Sequence, residues 1–120
     1  MRPFQRHAKA DLERLADLHG IRLDFEVVEC KPDPSLGHEE GDVYLRTQFE
    51  RAARHYDVYL YTDEASLSVE GEWLMFEVPD YQNDENRLRA TVIDFIRLSL
   101  DGWDVDRALA EARKYCGTAS

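Results

Sequence analysis

The chain has little cysteine, almost no lysine and no long apolar run, and each shortage excludes something. Its two cysteines, Cys30 and Cys116, lie far apart in 120 residues and form no C-x-x-C pair. That excludes a disulfide framework and the common structural zinc motifs, and leaves free thiols in a reducing compartment as the expectation. No stretch approaches the roughly 20 apolar residues of a membrane-spanning helix. The opening MRPFQRHAKADLERL also lacks the apolar centre of a cleaved signal. A soluble, cytoplasmic protein that does not use a membrane is therefore expected.

Lysine occurs only at positions 9, 31 and 114, so arginine supplies most of the 15 bases, and these face 25 acids for a net charge of −10. A surface of that sign repels phosphates, because binding nucleic acid needs Lys or Arg to displace its counterions. Direct DNA or RNA binding is disfavoured on that ground and not expected, whereas a basic protein would be attracted and steered. A GC-rich or salt-loving background also produces acidic, lysine-poor chains, so acidity by itself does not assign a function.

Familiar catalytic signatures are missing too. There is no GxSxG, HExxH, GxxxxGK or GxGxxG. Cys116 falls in the last turn of a predicted helix, where the dipole disfavours a thiolate, and Cys30 has only Lys31 beside it. His38, Glu39 and Glu40, with Asp33 and Asp42 nearby, place metal-ligand types on one loop, but without the spacing of an EF-hand. A solvated charged loop is the simpler reading, and no cofactor is expected. His7, His19 and His55 read as surface or helix-end residues. Glu70 and Glu72 flank a turn, yet an acid/base pair requires a cleft and a shifted pKa that sequence does not display.

What is present is one domain of ordinary size, covering residues 1–120. Phe4, Ala8, Leu12, Leu15 and Leu18 recur at helical spacing between Pro3 and Gly20, predicting a helix over 4–19. Ile21, Leu23, Phe25 and Val27 alternate with charged residues, predicting a half-buried strand over 21–30. Two prolines and two glycines in KPDPSLGHEEG make 31–41 a loop, expected to be the most mobile stretch. Residues 42–56 fit two periods. Leu45, Phe49, Ala52, Ala53 and Tyr56 follow a helical stripe, while Val43, Leu45, Thr47 and Phe49 alternate. The alanines favour a helix over 47–55, with 42–46 extended.

The stretch from His55 to Tyr81 carries three strands: Tyr56–Tyr61, the segment around Leu67 and Val69, and Trp73–Val78, the last two joined through Glu70-Gly71. Asn83 is placed to cap a helix bearing Asp84 and Glu85 in its first turn and Leu88, Val92, Phe95, Ile96 and Ser99 on one stripe. Gly102 ends it, Asp104 caps a successor, and Val105, Ala108, Leu109, Ala112 and Tyr115 line that final helix. The expected fold is α+β, an antiparallel sheet of about four strands with helices packed on one face, in the order α-β-(α)-β-β-β-α-α.

The feature that points to function is a base-free run. From Asp57 to Glu85 there are nine acids and not one Lys or Arg, interleaved with Tyr59, Tyr61, Trp73, Phe76 and Tyr81. Adjacent strand residues point to opposite faces, so some of these rings belong to the core, Trp73 or its neighbours first among them. The others would make an acidic patch with aromatic anchors, a combination that protein interfaces favour. A solvated acidic face with every ring buried is the plainer alternative.

Three function classes follow. The first is a non-enzymatic inhibitor that binds a basic partner, such as a nuclease or nucleic-acid-binding effector, with carboxylates in place of phosphates. Small phage-encoded inhibitors of host defence and immunity proteins against nuclease toxins act in this way as classes. The residues expected to carry it are Asp63, Glu64, Glu70, Glu72, Glu77, Asp80, Tyr81, Asp84 and Glu85. The second is a secretion-type chaperone or regulatory adaptor that binds through an apolar face and is compatible with a homodimer. The third is a small enzyme using a divalent metal at His38, Glu39 and Asp42. The first is the reading the composition favours.

Overall fold

The structure is a computed structural model that describes residues 1–32, 35, 41–62, 64–77 and 84–116, except for the side chains of Tyr115 and Cys116. It is α+β, with three helices and five antiparallel strands.

Helix α1 spans Pro3–Leu18. Its stripe of Phe4, Ala8, Leu12 and Leu15 is buried, while Leu18 lies outside the core. Gln5, fully buried in the first turn, joins the helix to the sheet. Its side-chain oxygen accepts from the Arg2 N–H at 2.9 Å, and its amide nitrogen donates to the carbonyls of Val43 at 2.6 Å and Leu60 at 3.1 Å. Buried amides persist where their donors and acceptors are matched, and this one is matched at both ends. Arg2 adds an ion pair to Asp42 at 2.8 Å.

The strand expected over 21–30 is shorter in the structure. Only Glu26–Glu29 forms strand β1, while Ile21, Leu23 and Phe25 pack on the core from irregular backbone. Val27, expected inside, is 55% exposed. Alternation signals one buried side, and apolar coil residues laid against a core satisfy the same pattern without a ladder.

The helix expected over 47–55 is overturned. Strand β2 runs Val43–Arg51, turns at Ala52-Ala53, and returns as β3, Arg54–Leu60, in a seven-pair register from Leu45↔Leu60 to Arg51↔Arg54. Leu45, Thr47 and Phe49 are buried on alternate positions. Phe49 stacks on Tyr56 with ring centroids 4.7 Å apart, and Thr47 Oγ1 donates to the Asp24 carbonyl at 3.0 Å. Helix propensity differs by less than about 1 kcal/mol among ordinary residues. A ladder with a buried cross-strand ring pair outweighs it. The two alanines take φ of 52° and 65°, left-handed values that a two-residue hairpin demands and that Asn-Gly usually fills.

Strands β4 (Glu64–Val69) and β5 (Glu72–Glu77) form a second hairpin around Glu70-Gly71, with φ of 52° and 82°. The sheet is a simple meander, β1-β2-β3-β4-β5, each strand antiparallel to the next. Helix α2 spans Glu85–Leu100 and α3 spans Val105–Cys116. The cap of α2 is Asp84, which accepts from the N–H groups of Asn86 and Arg87; Asn83, the expected cap, lies outside the described residues. Asp104 accepts from the Arg107 N–H at 2.8 Å, capping α3 as its position implied. The stripe of Leu88, Val92, Phe95 and Ile96 is buried against the inner residues of the sheet, together with α1 and α3. Arg54 donates to the Trp103 carbonyl at 2.6 Å, and the Tyr56 hydroxyl meets Ser99 Oγ at 2.7 Å, pinning the α2–α3 joint to β3. All three helices thus contribute to one core on one side of the sheet. The other side is uncovered by any described helix.

Candidate functional site

Strand register determines what the open face presents. Leu45, Phe49, Tyr56, Val58, Leu67 and Phe76 are buried inward. Their neighbours in each strand therefore point outward, and the pairings place them in rows. One row runs Val28, Tyr44 and Tyr61 and ends in Glu64 and Glu77; the next runs Glu26, Arg46, Tyr59, Ser66 and Met75; a third runs Gln48, Asp57, Ser68 and Trp73.

The rings form a connected group. Tyr44 lies 5.5 Å from Tyr61 and 6.3 Å from Tyr59, Tyr59 stacks on Tyr61 at 6.2 Å, and Trp73 meets Tyr59 at 5.8 Å. The Arg46 guanidinium sits 5.5 Å from the centre of the Tyr59 ring, within cation–π range. Trp73 and Met75 are 56% and 54% exposed, the largest apolar exposures on the sheet apart from Val27. Of the rings expected in the core, Trp73 or its neighbours, Trp73 lies outside it, and Tyr56 and Phe76 fill that role. The two-residue turn at Glu70-Gly71 places Trp73 opposite Ser68, and both fall on the outer side.

Charges border the rings. Glu26, Glu50, Asp57, Glu64 and Glu77 fall on the outer positions, with Arg46 and the titratable His55 as the basic groups of the described strands there. His55 stands between two carboxylates, Nδ1 at 3.4 Å from Glu50 and Nε2 at 3.5 Å from Asp57. Both ring nitrogens face acids, so the imidazole has no hydroxyl or thiol to activate, and the arrangement lacks the nucleophile–base contact of covalent catalysis. The other Asp57 oxygen is buried without a hydrogen-bond partner. Burial, then the neighbouring Glu64, push the Tyr61 phenol above its ordinary pKa. The Tyr61 hydroxyl therefore holds its proton more firmly and remains a hydrogen-bond donor.

The acids singled out from sequence separate into groups. Glu64 and Glu77 are direct cross-strand partners at one end of the open face. Glu70 is in the turn at the other end, where its carboxylate accepts from the His55 N–H. Glu72 opposes Val69 on the inward side of β5, and a shallow hollow there is lined by Arg54, Glu70, Glu72, Asp104 and Asp106. Asp84 and Glu85 belong to the first turn of α2 in the helical layer. Asp63, Asp80 and Tyr81 lie outside the described residues.

Tyr44, Arg46 and Met75 belong to the face but were missed. The alternation of Val43, Leu45, Thr47 and Phe49, with 42–46 read as extended, was the signal for the first two, but the base-free run that pointed to function begins only at Asp57.

Elsewhere the chemistry is thin. Burial, then Asp42, raise the pKa of the half-buried free thiol Cys30. Of the loop considered for a metal, Asp42 is paired with Arg2, while Asp33, His38, Glu39 and Glu40 lie outside the described residues. Among the described residues no three His, Cys, Asp or Glu side chains gather as a metal site. No helix among them is long and apolar enough to cross a membrane. No protein-family model matches the chain, and no curated protein or solved structure matches it either. The functional argument therefore rests on the chemistry of the face.

Proposed function

We propose that the protein is a non-enzymatic, cytoplasmic binding protein that engages a basic protein partner through the open face of its sheet. The observation that carries this reading is the connected ring group of Tyr44, Tyr59, Tyr61 and Trp73, uncovered by any described helix and bordered by more acid than base. Rigid aromatic side chains contribute large contact area at low entropic cost, and a carboxylate border selects Arg and Lys on the partner and speeds encounter. Tyrosine and tryptophan faces add cation–π attraction for the same groups. Two copies of a chain with net charge −10 repel, which favours a partner of opposite sign over a second copy.

Inhibition follows if the partner's basic surface is the one it uses to hold nucleic acid. The carboxylates then occupy phosphate positions and exclude the substrate. A second reading, an escort or adaptor that binds an apolar segment, is favoured by the exposure of Trp73 and Met75. Salt separates the two, since a charge-led complex weakens as ionic strength rises and an apolar one persists.

The test is site-specific photo-crosslinking. A photoreactive residue at Ser66, in the middle of the face, is expected to capture a basic protein, whereas one at exposed Arg14 on α1 is not. Capture should vanish in the Tyr59→Ser, Trp73→Ser double variant while the circular dichroism stays unchanged. Crosslinks that form from Arg14 alone, or that survive the double substitution, would remove the face from the account.

A further inference from the structure

The sheet ends in two edge strands of different character. β1 is four residues long and carries Glu26 and Glu29. β5 is six residues long, EWLMFE, with no proline, no lysine and an unbroken register without a bulge, and its charges are confined to the two ends, Glu72 and Glu77. The hydrogen-bond phase of the ladder shows which of its backbone groups are turned outward. Glu70 donates its N–H to the His55 carbonyl at 3.0 Å, and the Tyr61 N–H donates to the Glu64 carbonyl at 2.9 Å. Even-numbered residues of β4 therefore bond towards β3, and Ala65, Leu67 and Val69 bond towards β5. Their partners are Phe76, Leu74 and Glu72. Trp73, Met75 and Glu77 are left with N–H and C=O groups directed away from the sheet, and no hydrogen bond reaches those groups among the described residues. The residues with outward backbone thus include the two whose apolar side chains are most exposed on the strand.

We infer that β5 is a strand-addition site, which takes an extended segment of the partner as a sixth antiparallel strand. The charge of the edge specifies that segment. A guest residue opposite Glu77 meets that carboxylate with Glu64 beside it, and one opposite Glu72 meets that carboxylate with Glu70 in the adjoining turn. Between them, the guest positions opposite Met75 and Trp73 share the outer face with those side chains. In guest numbering, the fitting segment has Arg or Lys at i and i+5 and β-branched or aromatic residues at i+2 and i+4. Backbone pairing gives affinity and the alternate side chains give selectivity. A second copy is the poorer guest, since its own β5 brings Glu72 and Glu77 to an acidic edge. This inference rests on the basic-partner reading above and narrows where and how part of that partner is held.

The probe is an acetylated, amidated peptide with the core Arg-Thr-Val-Thr-Val-Arg, followed by amide hydrogen exchange in the full chain. Binding is expected to slow exchange at Trp73, Met75 and Glu77 by about tenfold or more, with Leu74 and Phe76 unchanged because they already bond to β4. Binding should fall with added salt and with Glu in place of both arginines. Met75→Pro deletes one outward N–H without touching the β4 ladder and should abolish binding, whereas Met75→Ala should only weaken it. Should Met75→Pro fail to fold, N-methylation of the peptide's edge-facing amides removes the same bonds from the other side.

Three outcomes overturn the inference. One is peptide binding that shifts Tyr44, Tyr59 and Tyr61 signals without protecting the three amides; the open-face reading survives it. Another is protection that appears with protein concentration and no peptide, which makes a second copy the guest. The third is no binding at all. The open-face reading itself falls only with the crosslinking experiment.

Discussion

The two sides of the sheet come from the same five strands and differ in how they treat polarity. The covered side buries aliphatic residues with Phe49, Tyr56 and Phe76, and its polar groups are paired: Tyr56 with Ser99, Thr47 with Asp24, Gln5 with two carbonyls. The open side has tyrosines, a tryptophan and a methionine around small serines, and includes Asp57, with one buried oxygen unsatisfied. A core is stabilised by removing apolar surface from water and leaving nothing polar unpaired. A docking face must tolerate water until its partner arrives, and tyrosine does so because its ring is apolar while its hydroxyl stays hydrated. The difference teaches that aromatic content alone does not mark a core; pairing of the polar groups does.

The sharpest way to break that comparison is to truncate one ring on each side of β5. Phe76→Ala should cost about 3–5 kcal/mol in urea denaturation, as expected for a buried phenylalanine. Trp73→Ala, three residues away, should cost under about 1 kcal/mol, mainly its cross-strand contact with Tyr59. Equal losses would place Trp73 in the core and abolish the distinction.

Gln5→Leu tests the pairing on the covered side. It keeps approximate volume but leaves the Val43 and Leu60 carbonyls without their donor. A loss of about 1–3 kcal/mol is expected, with faster exchange at the start of β2 and the end of β3. A neutral result would mean that those carbonyls find other partners.

Register keeps the two faces distinct, so the β2–β3 turn is the next lever. Ala52→Asn with Ala53→Gly suits both left-handed positions and should stabilise the domain by about 1 kcal/mol, read as a rise in denaturation midpoint. Destabilisation would contradict the hairpin and revive a helical segment there.

The smallest effect is electrostatic. The Tyr61 phenol has a pKa raised above the ordinary phenol value of 10.0, so the folded state holds that proton more tightly than the unfolded chain does. Its contribution is complete below pH 10.0 and declines as pH rises from there through the folded-state pKa. Tyr61→Phe should flatten that alkaline decline, and tyrosinate absorbance of the native protein should show one late-titrating phenol fewer.

Much of this is legible in the sequence alone. Phe4, Ala8, Leu12 and Leu15 marked α1, Leu88 to Ile96 marked α2, and Glu70-Gly71 marked the second hairpin, because each signal is local and strongly periodic. The segment around Phe49 was not legible. Its helical and strand periods coincide over a few residues, and the choice depended on Tyr56 stacking from the returning strand. The acids of the base-free run were legible as a charge imbalance but not as a surface, since Glu64 and Glu77 share a face while Asp84 caps a helix.

Sequence by itself therefore determined the helices, the strand-rich centre, the acidic character and the α+β class, all of which follow from propensity, period and charge within a short window. Tertiary structure alone decided that residues 43–51 pair as a strand, that Trp73 faces outward, and that Tyr44, Tyr59 and Tyr61 meet across two strands. Those outcomes depend on register between segments distant along the chain, and a one-residue slip in register reverses every face.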